Sequence, residues 1–94
     1  MKAIRVRGEN TKHKVLVYAL STCPWCKLTK DFLREQGIEY EYIDVDLCSE
    51  VDKEAIQRTI LSKGGRRTYP TIIIDDNIVV QGLHKAALKE ALGI

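Results

Sequence analysis

Two of this sequence's three cysteines are separated by only two residues, in Thr22-Cys23-Pro24-Trp25-Cys26. Thiols at that spacing serve either as a redox pair that opens and closes one disulfide or as half of a metal site. A structural zinc site normally takes four ligands, often from two such pairs. Here only Cys48 and the distant His13 and His84 remain to complete one. Three cysteines are also too few, and unevenly paired, for a secreted disulfide scaffold, so a reducing interior, the cytoplasm, is expected.

The pair's position sharpens the redox reading. Pro24 has no amide hydrogen to lose at a first helical position, so Ser21-Thr22-Cys23-Pro24 reads as a helix start. A sulfur at that cap meets free backbone amides and the positive end of the helix dipole, which favour thiolate over thiol. An ordinary thiol of pKa about 8.5 is only ~3% ionised at pH 7, whereas one of pKa about 6 is ~90% ionised. The thiolate is the form that attacks disulfides. Cys26, almost one turn further in, can bond back to Cys23 and should be less exposed. The expected cycle has Cys23 as nucleophile and Cys26 as resolving thiol, after which a reductant reopens the Cys23–Cys26 bond. Lys27 either adds positive charge near the pair or is an exposed helix lysine. Trp25 has little reason to be in a core and reads as a surface docking contact.

The elements that must position this pair follow from hydrophobic periodicity. Lys2 to Arg7 alternates, with Ile4 and Val6 on one side, and reads as a half-exposed strand. Gly8 to Thr11 breaks it. Lys14 to Ala19 is nearly continuously apolar, as expected of a strand buried on both faces. The helix after Pro24 carries Leu28, Phe32 and Leu33 on its apolar face and stops at Gly37. Glu39 to Val45 reads as the next strand. Ser49-Glu50-Val51-Asp52 opens a second helix with acids in its first turn. Ala55, Ile56 and Ile60 continue that helix until Gly64-Gly65. Thr71 to Ile74 and Ile78 to Val80 form a hairpin across Asp75-Asp76-Asn77. After Gly82 a last helix carries Leu83, Ala87, Leu88, Ala91 and Leu92.

The order β-β-α-β-α-β-β-α describes an α/β protein with a mixed sheet. Strands separated by helices are expected to be parallel, joined by right-handed crossovers. Val15 to Ala19 should be central, between the strands that follow the first and second helices. That leaves the N-terminal strand at a sheet edge, which the sequence does not identify. One domain spans residues 1–94, with 1–13 as an N-terminal strand extension.

Composition agrees. The chain has 45% hydrophobic and 30% charged residues and a formal charge of +2. That excludes disorder, collagen and repeat arrays. No run approaches the ~18 apolar residues of a membrane span, and the polar N-terminus does not read as a signal peptide. Lys2, Arg5, Arg7, Lys12 and Lys14 read as a solvated edge, with no interleaved aromatic residues to stack nucleic-acid bases.

Thr22-Cys23-Pro24-Trp25-Cys26 after a strand, a following helix, and Thr68-Tyr69-Pro70-Thr71 before a hairpin together resemble a glutaredoxin. More broadly they resemble the small redoxins of thioredoxin fold, over about Lys14 to Ile94. The resemblance implies a four-stranded mixed central sheet flanked by three helices, with the extra N-terminal strand at an edge. It implies a cis Tyr69–Pro70 bond, which the low cost of a cis X-Pro peptide allows. It also implies that Pro70 lies against the cysteine pair and that Tyr69 offers backbone hydrogen bonds to an extended substrate. Thioredoxin proper fits less well. Its Gly-Pro between the cysteines is replaced by Pro24-Trp25, and Val15 to Tyr18 lacks its buried acid.

The resemblance is mixed where glutathione would bind. Glutathione-using members commonly carry a lysine three residues before the first cysteine, where this chain has Leu20. They also carry Gly-Gly followed closely by Asp at the last helix. This chain has Gln81-Gly82-Leu83-His84-Lys85, and a cation cannot accept from an ammonium as a carboxylate does. Arg66 matches a basic position that could hold a carboxylate. The Gly82-Leu83 ending looks closer to NrdH-type redoxins, which serve ribonucleotide reductase and are reduced by a protein disulfide reductase. The reading is therefore a dithiol–disulfide oxidoreductase acting on protein disulfides, a monomer with no bound cofactor. Its electrons would come from a thioredoxin-reductase-like or ferredoxin-linked reductase, or from glutathione. Pro24, Trp25, Tyr69, Pro70, Arg66, Gln81 and Gly82 are its substrate-binding candidates.

The rival from another class is an iron–sulfur or metal carrier. In some glutaredoxins a cluster bridges two subunits through the first cysteine and glutathione, an arrangement Pro24 argues against. Cys48 reads as a small, partly buried residue, with a regulatory thiol as the alternative. His84 reads as a surface or partner contact, and His13 as solvent-side with no partner. The acids from Glu39 to Glu54 read as a solvated negative end or as a docking surface for a basic partner.

Overall fold

The structure, a computed structural model, describes residues 2–94. Its elements are β1 (Ile4–Val6), β2 (Val15–Ala19), α1 (Pro24–Glu35), β3 (Tyr40–Asp44), a 3-10 turn (Val45–Leu47), α2 (Glu50–Ser62), β4 (Thr71–Ile74), β5 (Ile78–Gln81) and α3 (Lys85–Leu92). The strands form one sheet in the order β1-β3-β2-β4-β5. This is a thioredoxin-like fold with three helices.

The apolar run of β2 makes it central, because both of its faces are covered. Val15, Val17 and Ala19 join Phe32, Leu33 and Leu88 in the core under α1 and α3. Tyr18 points the other way, into a core with Ile43, Ile56, Ile60 and Ile73 under α2. Burying each Leu or Ile side chain contributes about 1.5–3 kcal/mol.

β2 and β3 are parallel, as their connecting helix requires. β4 departs from the expectation, since it runs antiparallel to β2. The irregular segment 63–70 delivers Thr71 beside Tyr18, at the end of β2 that leads to the cysteines, so β4 must run away from that end. Leu28 also departs. It is 46% exposed, and the buried positions of α1 are Cys26, Thr29, Phe32 and Leu33. Thr29 takes the inward place by donating its hydroxyl to the Trp25 carbonyl at 2.8 Å.

In the three-residue β4–β5 loop, Asp75 and Asp76 lie at φ 53° and 65°, as the central residues of a primed turn closed by the Asn77 amide on the Ile74 carbonyl require. Here His13 differs from its solvent-side expectation. Its Nδ1 lies 2.7 Å from Asp75 Oδ2, and its side chain is only 28% exposed. Asp75 also accepts the Lys14 amide at 2.9 Å. These hydrogen bonds, His13 first, hold its carboxyl below the usual range.

β1 pairs antiparallel with β3, which settles the edge it occupies. It is shorter than Lys2 to Arg7, and Ile4 is 53% exposed while Val6 packs against the core. Gly8 fixes how the arm returns. A Cβ there would lie 2.6 Å from the Gly37 carbonyl oxygen and from the Glu39 nitrogen. Both belong to backbone held by Asn10, which donates to Gly37 and accepts from Glu39. Gly8→Ala should therefore cost about 1–3 kcal/mol through overpacking. A lowered urea midpoint with an unchanged slope checks this.

Candidate redox site

The loop from β2 into α1 builds the site. Cys23 is the N-cap of α1, in extended backbone at φ −89° and ψ 116°, and Pro24 occupies the first turn. Cys23 Sγ accepts the Cys26 amide at 3.2 Å. One orphan donor of the helix start is thus aimed at the sulfur itself. Cys23 is half-buried, while Cys26 is 1% exposed, and both are free thiols. The Leu20 amide donates to Cys26 Sγ at 3.4 Å.

Burial pushes the Cys26 thiol up to about 12, reinforced by its hydrogen bond to Cys23 and by the charge there. The Leu20 amide and Lys30 act in the opposite direction. Cys26 is therefore a neutral thiol across pH 6–9, since its pKa lies above that window. Brief treatment with iodoacetamide at pH 8 should leave Cys26 unmodified while Cys23 is alkylated, as peptide mass mapping would show. Equal labelling of the two would contradict this ordering.

The Tyr69–Pro70 bond is cis and leads into Thr71, which pairs with Tyr18 at the end of β2 that leads to the cysteines. Pro70 is buried, and Tyr69 packs, as Cys23 does, against the core cluster that includes Cys26 and, as Cys48 does, against the cluster under α2. The Tyr69 hydroxyl is enclosed and has no hydrogen-bond partner among the described residues. Burial first, and Cys48 second, raise its pKa.

Gln81 is tied to the segment before Pro70. Its Oε1 accepts the Arg66 amide at 3.0 Å, and its Nε2 donates to the Arg66 carbonyl at 2.7 Å and to Thr71 Oγ1 at 2.9 Å. It clamps the segment before Pro70 to the sheet. Gly82, at φ +74°, donates its amide to the Pro70 carbonyl at 2.9 Å. Arg66 itself is exposed. His84 caps α3, its Nδ1 accepting the Ala87 amide at 3.3 Å. Trp25 is 60% exposed, beside the pair. Lys27 pairs with Asp31 at 3.2 Å, one turn along the helix.

Sequence reasoning missed Lys30. It is 22% exposed, paired with Asp44 at 3.2 Å, with Nζ 3.8 Å from the Tyr42 ring centroid. Its spacing of four from Cys26 was the available signal, since it places a lysine on the inward face of α1. Asp46 was also missed as a support. It accepts the Ser21 amide at 2.8 Å and the Ser21 hydroxyl, which holds its carboxyl below the usual range. Cys48 is half-buried, 3.6 Å from the Asp44 carbonyl. Among the described residues, no three His, Cys, Asp or Glu side chains gather as metal ligands, and no helix is long and apolar enough to cross a membrane.

The chain is similar in sequence and in fold to known proteins. The family model for glutaredoxin matches residues 15–79. The chain is 32% identical over 78 residues to a glutaredoxin-like 8.6 kDa protein of the rubredoxin operon of Clostridium pasteurianum, covering 83% of this chain and 96% of that one. It is 39% identical over 70 residues to glutaredoxin 1 of Rickettsia felis, covering 74% of this chain and 65% of that protein's length. The glutaredoxin of Methanosarcina mazei Go1 superposes with a TM-score of 0.89 at 31% identity, over 100% of this chain and 90% of that one. Methanosarcina acetivorans methanoredoxin superposes with a TM-score of 0.74 at 34% identity, over 86% and 85%.

Proposed function

The chain belongs to the glutaredoxin family, and from that premise we propose that it carries electrons to protein disulfides through Cys23 and Cys26, recharged by a protein disulfide reductase. Members of this family are thiol–disulfide oxidoreductases. The observation that carries the assignment of roles is the asymmetry of the two sulfurs. Cys23 is the more accessible and accepts an amide hydrogen, while Cys26 is enclosed and protonated.

The Cys23 thiolate attacks one sulfur of the substrate disulfide, forming a mixed disulfide and releasing the other sulfur as a thiolate. That step consumes the charge on Cys23. Two of the causes that hold the Cys26 proton, the hydrogen bond to Cys23 and the charge of Cys23, are tied to that sulfur. With that charge gone, Cys26 loses its proton more readily. It then attacks Cys23 Sγ and expels the second substrate thiolate. The substrate gains two electrons, and the pair closes as a disulfide. Pro70 and Tyr69 shape the groove, and Trp25 offers a contact beside it. The redox centre is the pair itself, with no bound cofactor, in a cytoplasmic monomer.

A reductase is favoured over glutathione by three positions. Leu20 is apolar where a cation would meet a carboxylate. His84 stands at the cap of α3 where a carboxylate would meet an ammonium. Gln81 is occupied with the backbone of Arg66. The test offers the oxidised protein glutathione, or NADPH with a thioredoxin-reductase-like enzyme, or reduced ferredoxin with a ferredoxin-linked reductase, and counts thiols. Rapid reduction by the reductase and slow reduction by glutathione is expected. Rapid reduction by glutathione, with a trapped Cys23 adduct, would make this an ordinary glutathione-dependent glutaredoxin. If no donor acts and no disulfide forms, the redox assignment falls.

A further inference from the structure

Lys30 stands where a charge is hard to place. Its side chain is only 22% exposed, and that of its partner Asp44 is 19% exposed. Nζ lies 3.2 Å from Asp44 Oδ1 and 3.8 Å from the centroid of the Tyr42 ring. Drawing two charges out of water offsets much of their attraction, and an apolar pair of similar volume is often no less stable. Stability is therefore a weak reason for this ion pair. Its place supplies a stronger one. Lys30 follows Cys26 by four residues, so the two share one face of α1 a turn apart. Asp44 pairs in register with Ala19, and the next residue, Leu20, donates its amide to Cys26 Sγ at 3.4 Å. The ion pair thus sits at the corner of β2, β3 and α1 that encloses the second sulfur.

The resolving step needs a cation there. Once Cys23 is tied into a mixed disulfide, Cys26 must release its proton and carry negative charge while 1% exposed. Burial opposes that charge, and the Leu20 amide and Lys30 offset it. The other charged groups of the elements around the sulfur are turned to other partners. On α1, Lys27 and Arg34 pair with Asp31. Asp46, after β3, accepts from Ser21. On α3, His84 accepts the Ala87 amide, and Lys85 lies 5.6 Å from the Phe32 ring centroid. Tyr40 and Tyr69 are neutral, their pKa values raised by burial. Asp44 and Tyr42 fix the Lys30 ammonium from β3 without cancelling its pull on the sulfur.

Resting on the oxidoreductase reading above, we propose that Lys30, held by Asp44, is a positioning residue for the resolving step, its charge stabilising Cys26 as the thiolate that closes the pair. Cys26 Sγ gives its proton to solvent and attacks Cys23 Sγ. The bond from Cys23 to the substrate sulfur breaks, and that sulfur leaves with the electron pair and takes up a proton. In the reverse direction the same charge stabilises Cys26 as the leaving thiolate when a reductant opens the disulfide.

2,2′-Dithiodipyridine reports both steps. Attack by Cys23 releases one pyridine-2-thione, and closure by Cys26 releases a second. Stopped-flow traces with one reagent molecule per chain would be compared across pH in a Cys48→Ser background, which removes the third thiol. Lys30→Met should leave the first phase within about twofold. It should slow the second by about fivefold or more near neutral pH and move its pH midpoint upward, because an enclosed thiolate loses a nearby opposite charge. Lys30→Arg should restore the second phase, since it keeps the charge and stacks on an aromatic ring. Lys30→Gln, neutral but polar, should behave as Lys30→Met does and replaces it if methionine disturbs the fold. A second phase unchanged in the neutral variants, an unshifted midpoint, both phases slowed alike, or an arginine variant no faster than the neutral ones would each overturn the role of Lys30 and leave the redox function standing. If the parent protein with Lys30 intact releases only one pyridine-2-thione, Cys26 does not resolve, and the redox reading falls together with the role of Lys30.

Discussion

Cys26→Ser should convert the protein into a trap. Incubated with a disulfide substrate, it should accumulate one mixed disulfide per chain through Cys23, visible as a mass increase that dithiothreitol removes. Cys23→Ser should form no adduct at the pair and should lose turnover by about 10³-fold or more, because the attacking sulfur is gone. The asymmetry follows from the geometry. Cys26 is 1% exposed and its thiol is pushed up to about 12, so it cannot open a substrate disulfide in place of Cys23. It is nevertheless beside Cys23 Sγ, which its own amide contacts at 3.2 Å. Its place therefore suits only the second, intramolecular attack. Trapping by Cys23→Ser instead of Cys26→Ser would reverse the roles. Full turnover by Cys26→Ser would show that an outside thiol resolves the intermediate.

The placement of the two sulfurs was legible because it depends on local rules. A cysteine followed by proline at a helix start fixes one sulfur at the cap and the other inside the first turn. The central strand was legible for a similar reason, since Val15 to Ala19 has no polar face to offer water. What depended on long-range return of the chain was not. The direction of β4 is decided by how segment 63–70 leads into Thr71, and no periodicity encodes that. His13 and Asp75 are far apart in sequence and meet only because β2 and β4 are paired. Gln81 was a substrate-contact candidate because it opens the stretch where the resemblance implies glutathione binding. Its amide is instead spent on the backbone of Arg66, a contact that requires the hairpin and the preceding loop together. Leu28 fits an apolar helical stripe by spacing alone, yet α1 turns Thr29 inward and leaves Leu28 in water.

Leu20→Lys combined with His84→Asp should improve the protein's use of glutathione. Both changes fit the fold. Leu20 is half-buried on the core under α2, where a lysine stem can replace its apolar contact while the ammonium reaches water. His84 caps α3 by accepting the Ala87 amide, and aspartate is a preferred cap that also suits the positive end of the helix. A cation and a carboxylate would then stand where a tripeptide with charged ends needs partners. A hydrogen bond to a charged group contributes about 1.5–3 kcal/mol when made well. Two of them at solvent-facing positions, where screening weakens each, should lower the KM for glutathione by about 10- to 100-fold. Reduction by a disulfide reductase uses neither charge and should change little. Coupled glutathione reductase kinetics on the single and double variants read both effects. If the wild type already matches the double variant, Leu20 and His84 do not limit the use of glutathione. If the double variant gains nothing, the limiting group is the clamped Arg66 segment, and Gln81→Ala, which frees it, becomes the decisive substitution.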